Sequence, residues 1–261
     1  MNLIGISGKT QSGKDLLGQL INLKLTFGVL NQRLVDAIAT KDLLFDTVKY
    51  ADKLKDVICV LLGCTRLQLE DDNYKNKILP SHWWYFKTKN NILLNYNDDK
   101  TLTGLELIKL TPRRMLQLFG TECGRQIIHP NIWINATFEN YNPYSARGSD
   151  YKSTESKWII TDVRFPNEAE AILDRGGTLI RINRSIQQRF PELWDKVLVN
   201  SKNRFDSEGM FLTELYKQDK LLWKKLTHES ETALDDYDKF SNIIDNNLDL
   251  ENLYDNVNQL F

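Results

Sequence analysis

The pattern of apolar and polar positions divides the chain into short apolar runs, which are typical of buried strands, and longer stretches with helical periodicity. The predicted strands are residues 3–7, 46–50, 157–162, 178–183 and 242–245. Helices are predicted at residues 14–24, 51–62, 111–119, 166–175 and 250–260. Strands that alternate with helices in this way predict an α/β fold, in which helices flank a parallel sheet.

Two segments interrupt this alternation. Residues 65–104 mix aromatic rings with Lys and Asn, and residues 185–226 contain a helical stretch at 211–226. No internal repeat or low-complexity linker marks a boundary, so the sequence predicts a single domain over residues 1–261 with insertions at 65–104 and 185–226. We interpret the first insertion as a segment that covers a ligand, and stacking of its aromatic rings on a base is one expected use of them. For most of these rings, however, the preferred interpretation is local packing along a long connection.

Composition limits the classes of function. The 261 residues are 41% hydrophobic and 26% charged, which is ordinary for a globular protein, and the net charge of −1 gives no basic field that would recruit nucleic acid. Three cysteines without CxxC spacing disfavour a disulfide framework or a zinc site and favour a reducing cytoplasm. The chain begins in a strand and has no apolar run that could span a bilayer, so we expect neither a signal peptide nor a membrane partner.

The most informative stretch follows the first strand. Gly8, four residues, Gly13 and Lys14 have the spacing of a phosphate-binding loop between a strand and a helix. Glycines let successive backbone N–H groups point at phosphate oxygens, and the next helix presents the positive end of its dipole. Lys14 adds a point charge for the β- and γ-phosphates. The sequence therefore predicts nucleotide binding by Gly8, Lys9, Ser12, Gly13 and Lys14; an ordinary glycine-rich turn is the alternative.

The residue after Lys14 departs from the usual pattern, in which a Ser or Thr hydroxyl binds Mg²⁺. Asp15 and Leu16 stand there instead, and they complete the predicted nucleotide-binding segment. A carboxylate can hold the ion directly or through water. A second carboxylate, Asp162, ends the apolar strand 157–162, which is the arrangement of a Walker B element. Because ligands sit at the carboxyl ends of parallel strands, we predict Asp15 and Asp162 as the magnesium ligands.

Several cations lie where a helix dipole disfavours them. Lys55 lies near the start of one predicted helix, and Arg113 and Arg114 open another. Arg164 follows Asp162 by two residues. This placement indicates nearby anions, and the planar fork of arginine suits bidentate recognition of phosphate. For Asp162 and Arg164 a surface ion pair is the alternative.

In their order along the chain, these segments resemble the deoxynucleoside monophosphate kinases of tailed phages, a branch of the P-loop kinases. The segments are Ser7-Gly8 with Ser12-Gly13-Lys14-Asp15, Tyr50-Ala51 with Leu54-Lys55-Asp56, Arg113-Arg114-Met115-Leu116-Gln117 with Gly120-Thr121, Trp133, Asp162-Val163-Arg164 with Glu168, and His228 with Glu231. Their order and approximate spacing match across most of the chain, outside residues 65–104 and 185–226. The family often has Thr where this chain has Leu16.

The resemblance implies a P-loop kinase fold and a reaction. In that reaction the γ-phosphoryl group of ATP moves, with Mg²⁺, to the 5′-phosphate of a deoxynucleoside monophosphate to give the diphosphate and ADP. The family acts in making DNA precursors. The resemblance also implies a homodimer in the cytoplasm, which would be the host cytoplasm for a phage protein.

The resemblance further assigns site residues, position by position. The expected catalytic residues are Lys14, Arg114, Asp162 and Arg164. The acceptor phosphate would be clamped by Lys55, Arg114 and Arg164. The nucleoside pocket would be shaped by Thr121, Trp133 and Glu168. The expected substrate-binding set is completed by Arg113 and Asp162. The alternative for Trp133 is a place in the hydrophobic core. The alternative for Glu168 is a structural role in the first turn of a helix, where the helix dipole stabilises a carboxylate.

Three other functions share the loop and the sheet. Another small-molecule P-loop kinase, such as a dephospho-CoA kinase, would differ in its acceptor. A nucleotide-dependent switch or a DNA-handling ATPase would hydrolyse ATP slowly without an acceptor, or would respond to DNA. A nucleotide-binding protein without catalysis is the third, because no hydroxyl follows Lys14. The fold alone does not decide among these functions.

Overall fold

The computed structural model describes residues 2–31, 43–89, 92–95, 105–143, 155–201 and 207–260. The chain forms two compact units, which we call the parallel-sheet unit (Met1–Lys49 with Asn140–Phe261) and the middle unit (Tyr50–Glu139). The prediction of a single domain with insertions at 65–104 and 185–226 is not tested by this division and stays a prediction.

Strands and helices alternate along the described residues. The strands are β1 (Leu3–Ser7), β2 (Asp46–Val48), β3 (Tyr85–Lys87), β4 (Leu93–Asn95), β5 (Glu106–Ile108), β6 (Trp158–Val163), β7 (Thr178–Asn183) and β8 (Asn242–Asp245). The α-helices are α1 (Lys14–Phe27), α2 (Tyr50–Leu62), α3 (Arg66–Glu70), α4 (Asp72–Asn76), α5 (Pro112–Gln117), α6 (Ile132–Phe138), α7 (Pro166–Leu173), α8 (Ile186–Arg189), α9 (Pro191–Asn200), α10 (Glu208–Gln218), α11 (Lys220–Leu226), α12 (Glu229–Thr232) and α13 (Leu250–Asn258). A 3₁₀ helix (Ser81–Trp83) and a π-helix (Leu118–Ile128), which continues α5, complete the described elements.

Five strands of the parallel-sheet unit form one sheet in the order β2-β6-β1-β7-β8, and every pairing in it is parallel. The register places Ile4 of β1 opposite Ile159 of β6 on one side and Thr178 of β7 on the other. Ile4 and Ile159 are fully buried. A sheet covered on both faces needs apolar residues on both sides, which is why continuous apolar runs predicted these strands. The predicted α/β fold, a parallel sheet flanked by helices, is confirmed.

Helix α1 covers the sheet with an apolar stripe. Leu17, Leu20 and Ile21 are buried in the same cluster as the residues of β1, β6 and β7. The Asn22 side chain, also buried, accepts a hydrogen bond from the Phe45 N–H (3.0 Å) and donates one to the Phe45 carbonyl (2.6 Å). These bonds pair the backbone N–H and carbonyl of Phe45, which lie beside the core, and they fix the chain where it enters β2.

The direction of the crossovers reverses at β1. After β1 the chain passes through α1 to the edge strand β2, and the chain from β6 passes through α7 to β7, on the other side of β1. In open α/β sheets, ligands bind outside the carboxyl ends of the strands at such a reversal. The topology therefore singles out the loop that follows β1.

The segment 185–226 is helical and has its own small core. Buried members of this core are Ile186, Val197, Phe211, Leu215 and Leu226. The helical stretch predicted at 211–226 is two helices, α10 and α11, and that part of the prediction is wrong. Asp219 separates them, because its side chain caps α11 by accepting from the Leu222 N–H at 2.9 Å. A capping carboxylate favours a new helix start over continuation.

The middle unit combines helices with a small antiparallel sheet, ordered β4-β3-β5. Ile58, Leu69, Leu79, Leu110 and Met115 are its buried core residues. Each of its three strands has only three residues, which is too short to show the alternation that identifies a strand from sequence. The sequence pattern therefore did not predict this sheet within and beside residues 65–104.

The start of α5 agrees with its sequence signal, and its end does not. The Thr111 hydroxyl accepts from the Arg114 N–H at 3.1 Å, and Pro112 is the first helical residue, one position after the predicted start. The predicted helix stops at residue 119, but the chain continues beyond it, through Gly120, as a π-helix. A Cβ on Gly124 would lie 2.3 Å from the Phe119 carbonyl oxygen, so only glycine fits that turn.

Other element boundaries shift by a few residues. The strand predicted at 46–50 ends at Val48, because Tyr50 begins α2 and buries its ring against Phe138 with 6.0 Å between ring centroids. The helix predicted to run to Arg175 ends at Leu173. Within the described ranges, every helix is too short or too polar to cross a lipid bilayer.

Candidate active site

The loop between β1 and α1 is shaped to receive an anion. Gly13 has a φ of +99°, a conformation that residues with side chains rarely adopt. The Lys14 ammonium donates hydrogen bonds to the Gly8 carbonyl (2.7 Å) and the Lys9 carbonyl (2.8 Å), so it lies over the loop. The loop carbonyls of Gly8 and Lys9 therefore turn toward the ammonium of Lys14, which is partly buried.

Ser12 lies at the base of this loop and is 1% exposed. Its carbonyl accepts a hydrogen bond from the Asn246 amide (2.9 Å), which follows β8. Its hydroxyl is buried and has no hydrogen-bond partner among the residues that the structure describes. Buried hydroxyls are normally paired, so an oxygen-rich ligand in the loop would supply what this one lacks.

Lys14 is surrounded by the charged residues that the sequence singled out. Burial, together with the positive charge of Arg164, lowers the pKa of Lys14 to about 8. The carboxylates of Glu231, Asp15 and Asp162 oppose that shift. The fold thus brings Lys14, Asp15, Asp162 and Arg164 into electrostatic reach of one another. A polyanion bound here would favour the charged form of Lys14.

Asp15 is held by two residues that sequence reasoning missed. Its Oδ1 atom accepts from the Thr161 hydroxyl at 2.6 Å and lies 2.8 Å from the Lys49 ammonium. Desolvation would raise the pKa of Asp15, but the hydrogen bonds from Lys49 and Thr161 outweigh it and keep that pKa below its ordinary value. Lys49 directly follows β2 and Thr161 lies two residues before the end of β6, so nearness to the carboxyl end of a strand was the only sequence signal available.

Arg164 is fixed through both its backbone and its side chain. Its N–H and that of Phe165 donate to the Glu168 carboxylate at 2.8 and 3.1 Å. Glu168, 2% exposed, therefore caps the start of α7. The Arg164 guanidinium pairs with Glu231 and donates to the Ser230 carbonyl at 3.4 Å. The nucleoside-binding role expected for Glu168 stays a prediction.

Ion pairs connect the loop to the segment that follows β7. Arg189, whose side chain is 3% exposed, donates to the Thr10 carbonyl (3.4 Å) and pairs with Glu208 (3.1 Å). The Lys9 ammonium lies 3.2 Å from an Asp235 carboxylate oxygen. The sequence placed Arg189 and Glu208 in an insertion without a function, because nothing local relates them to a loop nearly two hundred residues earlier.

In the middle unit, each predicted phosphate-binding cation pairs with a carboxylate of the same unit. The pairs are Lys55 with Glu70 (2.6 Å), Arg113 with Asp72 (2.8 Å) and Arg114 with Glu122 (2.7 Å). The anions that their positions indicated are thus supplied by the chain itself. Pairs this exposed to solvent are weak, so a phosphate dianion would compete well for these cations.

Thr121 and Trp133, expected in the nucleoside pocket, also belong to the middle unit. Thr121 is exposed on the π-helix. The Trp133 ring is 7% exposed, and its indole N–H donates to the Gly120 carbonyl at 2.9 Å. Trp133 therefore has the position of a core tryptophan, the alternative stated above. A role for either residue in nucleoside binding stays a prediction.

The residues present fit magnesium held jointly with a substrate. Among the residues described, no three His, Cys, Asp or Glu side chains gather into a ready metal site. Magnesium in phosphoryl-transfer sites usually takes one or two carboxylates, with phosphate oxygens and water as its other ligands. Asp15 and Asp162 are both close to Lys14, which is where those phosphates would lie. The donor set therefore suits Mg²⁺ once a polyphosphate is bound.

Comparison with known proteins gives two relatives. The chain is 38% identical over 84 residues to the deoxynucleoside-5′-monophosphate kinase of Escherichia phage T5, an alignment that covers 30% of this chain and 30% of that protein. It is 34% identical over 106 residues to a protein of Acanthamoeba polyphaga mimivirus with the provisional name of deoxynucleotide monophosphate kinase. That alignment covers 35% of this chain and 54% of the mimivirus protein. No family model matches the chain.

The matched segments therefore span about a third of the phage relative and about half of the mimivirus relative. Within that limit, the resemblance to phage deoxynucleoside monophosphate kinases is confirmed. The geometry is compatible with this resemblance, since a loop of this form with a partly buried lysine suits an anion.

Proposed function

We propose that the chain is an ATP-dependent deoxynucleoside monophosphate kinase, which transfers the γ-phosphoryl group of ATP to the 5′-phosphate of a deoxynucleoside monophosphate. The observation that carries the proposal is the clustering of two cations, Lys14 and Arg164, with two carboxylates, Asp15 and Asp162, at a phosphate-type loop. The kinase names of both relatives support the reaction and the class of acceptor.

The chemistry of the transfer suits this set of residues. The bond between the γ-phosphorus and the oxygen that bridges it to the β-phosphorus breaks, and a bond from the γ-phosphorus to an acceptor phosphate oxygen forms. The products are ADP and a deoxynucleoside diphosphate. The attacking oxygen is already anionic, so no strong general base is needed. Catalysis is then mainly a matter of positioning and of neutralising charge.

Each cation has a distinct role in the proposal. Lys14 would exchange the Gly8 and Lys9 carbonyls for oxygens of the β- and γ-phosphates, while the loop N–H groups hold the same phosphates. Arg164 would bind the acceptor phosphate or the group in transfer, for which its planar fork is suited. Because Lys14 is already desolvated, its attraction to developing charge is stronger than it would be in water.

Asp15 and Asp162 would hold magnesium or its water ligands in this site. Magnesium, when bound, neutralises charge that develops on the β- and γ-phosphate oxygens. Thr161 and Lys49 fix the Asp15 carboxylate in one orientation, and their contacts keep it deprotonated at neutral pH. The homodimer and the host-cytoplasm location implied by the resemblance stay predictions.

The proposal is tested by measuring ADP formation from Mg-ATP with each of dAMP, dCMP, dGMP and dTMP. We expect at least one of them to raise turnover about 100-fold or more above hydrolysis without an acceptor. Dephospho-CoA, single-stranded DNA and no acceptor serve as the comparison reactions. Preferential phosphorylation of dephospho-CoA would indicate a different small-molecule kinase. Hydrolysis that no acceptor increases would indicate a switch or an ATPase.

The pH dependence of ATP binding gives a further expected result. Lys14 must be protonated to bind phosphate, and its pKa is about 8 in the free protein. Bound phosphate raises that pKa, so Mg-ATP affinity should be level below pH 8 and fall by up to about tenfold per pH unit above it. Calorimetric titration between pH 7 and 9.5 at constant ionic strength measures this. Affinity that does not change over this range would show that Lys14 does not carry the binding charge.

A further inference from the structure

The carboxylate of Glu231 connects the phosphate loop to Arg164. Its Oε2 atom accepts from the Thr10 N–H at 2.6 Å, and its Oε1 atom pairs with the Arg164 guanidinium. Its side chain is 8% exposed. Charge-assisted hydrogen bonds in a partly desolvated setting are about twice as strong as neutral ones. Glu231 therefore links the backbone of one element to the side chain of another.

The segment that carries Glu231 is itself held in place. His228 caps the short helix α12, because its Nδ1 atom accepts from the Ser230 N–H at 3.2 Å. Arg181 of β7 donates to the Leu234 carbonyl (2.7 Å) and pairs with Asp235 (2.6 Å). The His228 cap thus orders the helix that carries Glu231, and the Arg181 contacts tie the residues just after that helix to β7 of the central sheet. A carboxylate on so constrained a segment can define the position of its partners.

The negative charge of Glu231 also acts on three cations near the phosphate loop: Arg164, Lys14 and Arg189. Burial lowers the pKa of Lys14 and that of Arg189, and the negative charge of Glu231 opposes both shifts, together with Glu208 in the case of Arg189. One carboxylate therefore balances three positive groups: Arg164 by direct contact, and Lys14 and Arg189 at longer range. Without it, mutual repulsion would favour the movement of Arg164 away from Lys14.

We propose that Glu231 is a positioning residue for phosphoryl transfer: it holds Arg164 at a fixed place relative to the phosphate loop. The inference rests on the proposed function, since it assigns Arg164 to the acceptor side and the loop to ATP. In-line transfer requires the two phosphate groups to meet within a narrow range of distance and angle. A link between their two anchors sets that geometry before either substrate binds. Glu231 acts through Arg164 and the loop and need not touch either substrate.

The test compares Glu231→Ala and Glu231→Gln with Arg164→Ala and with the double variant E231A/R164A. A displacement of about 1 Å at a reacting group can cost about 100-fold in rate, so we expect Glu231→Ala to lower kcat by about that factor. KM for ATP should change less than about threefold, since the loop and Lys14 remain. Glu231→Gln keeps an acceptor for the Thr10 N–H but loses the charge, so its kcat should lie between those of the wild type and Glu231→Ala.

The double variant separates positioning from an independent effect. If Glu231 acts through Arg164, E231A/R164A should be no slower than Arg164→Ala alone, within about threefold. Glu229→Ala, on the exposed side of the same short helix, is the matched control and should behave like the wild type. Additive losses would overturn the proposal. So would tighter ATP binding with undiminished turnover in Glu231→Ala, which would show that the carboxylate obstructs the phosphates.

A second measurement keeps this inference distinct from the proposed function. Hydrogen exchange of the Thr10 amide, followed by NMR, should accelerate in Glu231→Ala and remain unchanged in Glu229→Ala. An unchanged Thr10 amide in Glu231→Ala would overturn the link whatever the activity. A wild-type protein that phosphorylates no deoxynucleoside monophosphate would overturn the proposed function, and the positioning role with it, while faster Thr10 exchange would still establish the contact.

Discussion

Replacing Lys14 by alanine is expected to reduce phosphoryl transfer about 1,000-fold or more, which corresponds to roughly 4 kcal/mol of transition-state stabilisation. Lys14 is the cation of the phosphate loop, and its ammonium is already desolvated and aimed at the loop carbonyls. The coupled assay of ADP formation measures kcat and KM for both substrates. Lys24→Ala, in the last turn of the same helix, is the matched control and should retain activity.

The same substitution should leave the fold intact. The pKa of Lys14 is lowered from its ordinary 10.5 to about 8, so at pH 7 its charged form is disfavoured in the folded state by about 3 kcal/mol. Alanine removes that cost, and the urea midpoint of Lys14→Ala should equal or exceed that of the wild type. Between pH 8 and 10.5 the unfolded chain binds more protons than the folded one, so wild-type stability should rise there with pH. Retained turnover in a folded Lys14→Ala protein would exclude the proposed loop.

The parts of the site that are local in sequence were predictable. The strand, the loop and the helix at residues 3–27 are consecutive, so Gly13 and Lys14 could be placed relative to one another from spacing alone. Asp162 and Arg164 were identified because they follow an apolar run, and the carboxyl ends of parallel strands share one edge. The sequence and the structure agree here because each signal depends on a few neighbouring residues.

The parts that depend on distant residues were not predictable. The Thr10 N–H meets Glu231, 221 positions later, and the Thr161 hydroxyl meets Asp15 across 146 positions. Nothing in the local sequence pattern distinguishes Lys49 or Arg189 from the other cations of the chain. Only the order of strands in the sheet, which the sequence does not state, brings these groups to one place. The residues missed by sequence reasoning are therefore those that hold other site residues in position.

The middle unit shows a different reason why the sequence did not predict every contact. Cations near the starts of its helices indicated nearby anions, and the structure pairs them with carboxylates of the chain itself, those of Glu70, Asp72 and Glu122. Their binding of phosphate stays a prediction. The helix dipole predicts that such a cation has a negatively charged partner, but it does not say whether that partner is a carboxylate of the protein or a bound ligand. For Trp133 the sequence left two alternatives, and burial with the hydrogen bond to Gly120 supports a place in the core.

The contacts of Arg164 indicate which of the two substrates it is expected to bind. Its backbone is held by Glu168 at the start of α7, and its guanidinium by Glu231. Both contacts place it at the end of β6, next to the strand that leads into the loop. Arg164 and Lys14 both carry only hydrogen-bond donors, so Arg164 acts on Lys14 through the repulsion between their positive charges, which lowers the pKa of Lys14. Loss of Arg164 should therefore affect the acceptor far more than ATP.

Arg164→Ala is expected to lower kcat, or raise KM for the acceptor, by about 100- to 1,000-fold, with ATP affinity changed less than about threefold. Arg164→Lys should recover only part of the rate, because it keeps the charge and loses the bidentate fork. Arg175→Ala is the control, because Arg175 is an exposed arginine that lies just after α7. The positive charge of Arg164 helps lower the pKa of Lys14, so in Arg164→Ala the fall in ATP affinity should begin above pH 8. An equal loss of affinity for ATP and acceptor would instead assign Arg164 to the ATP phosphates.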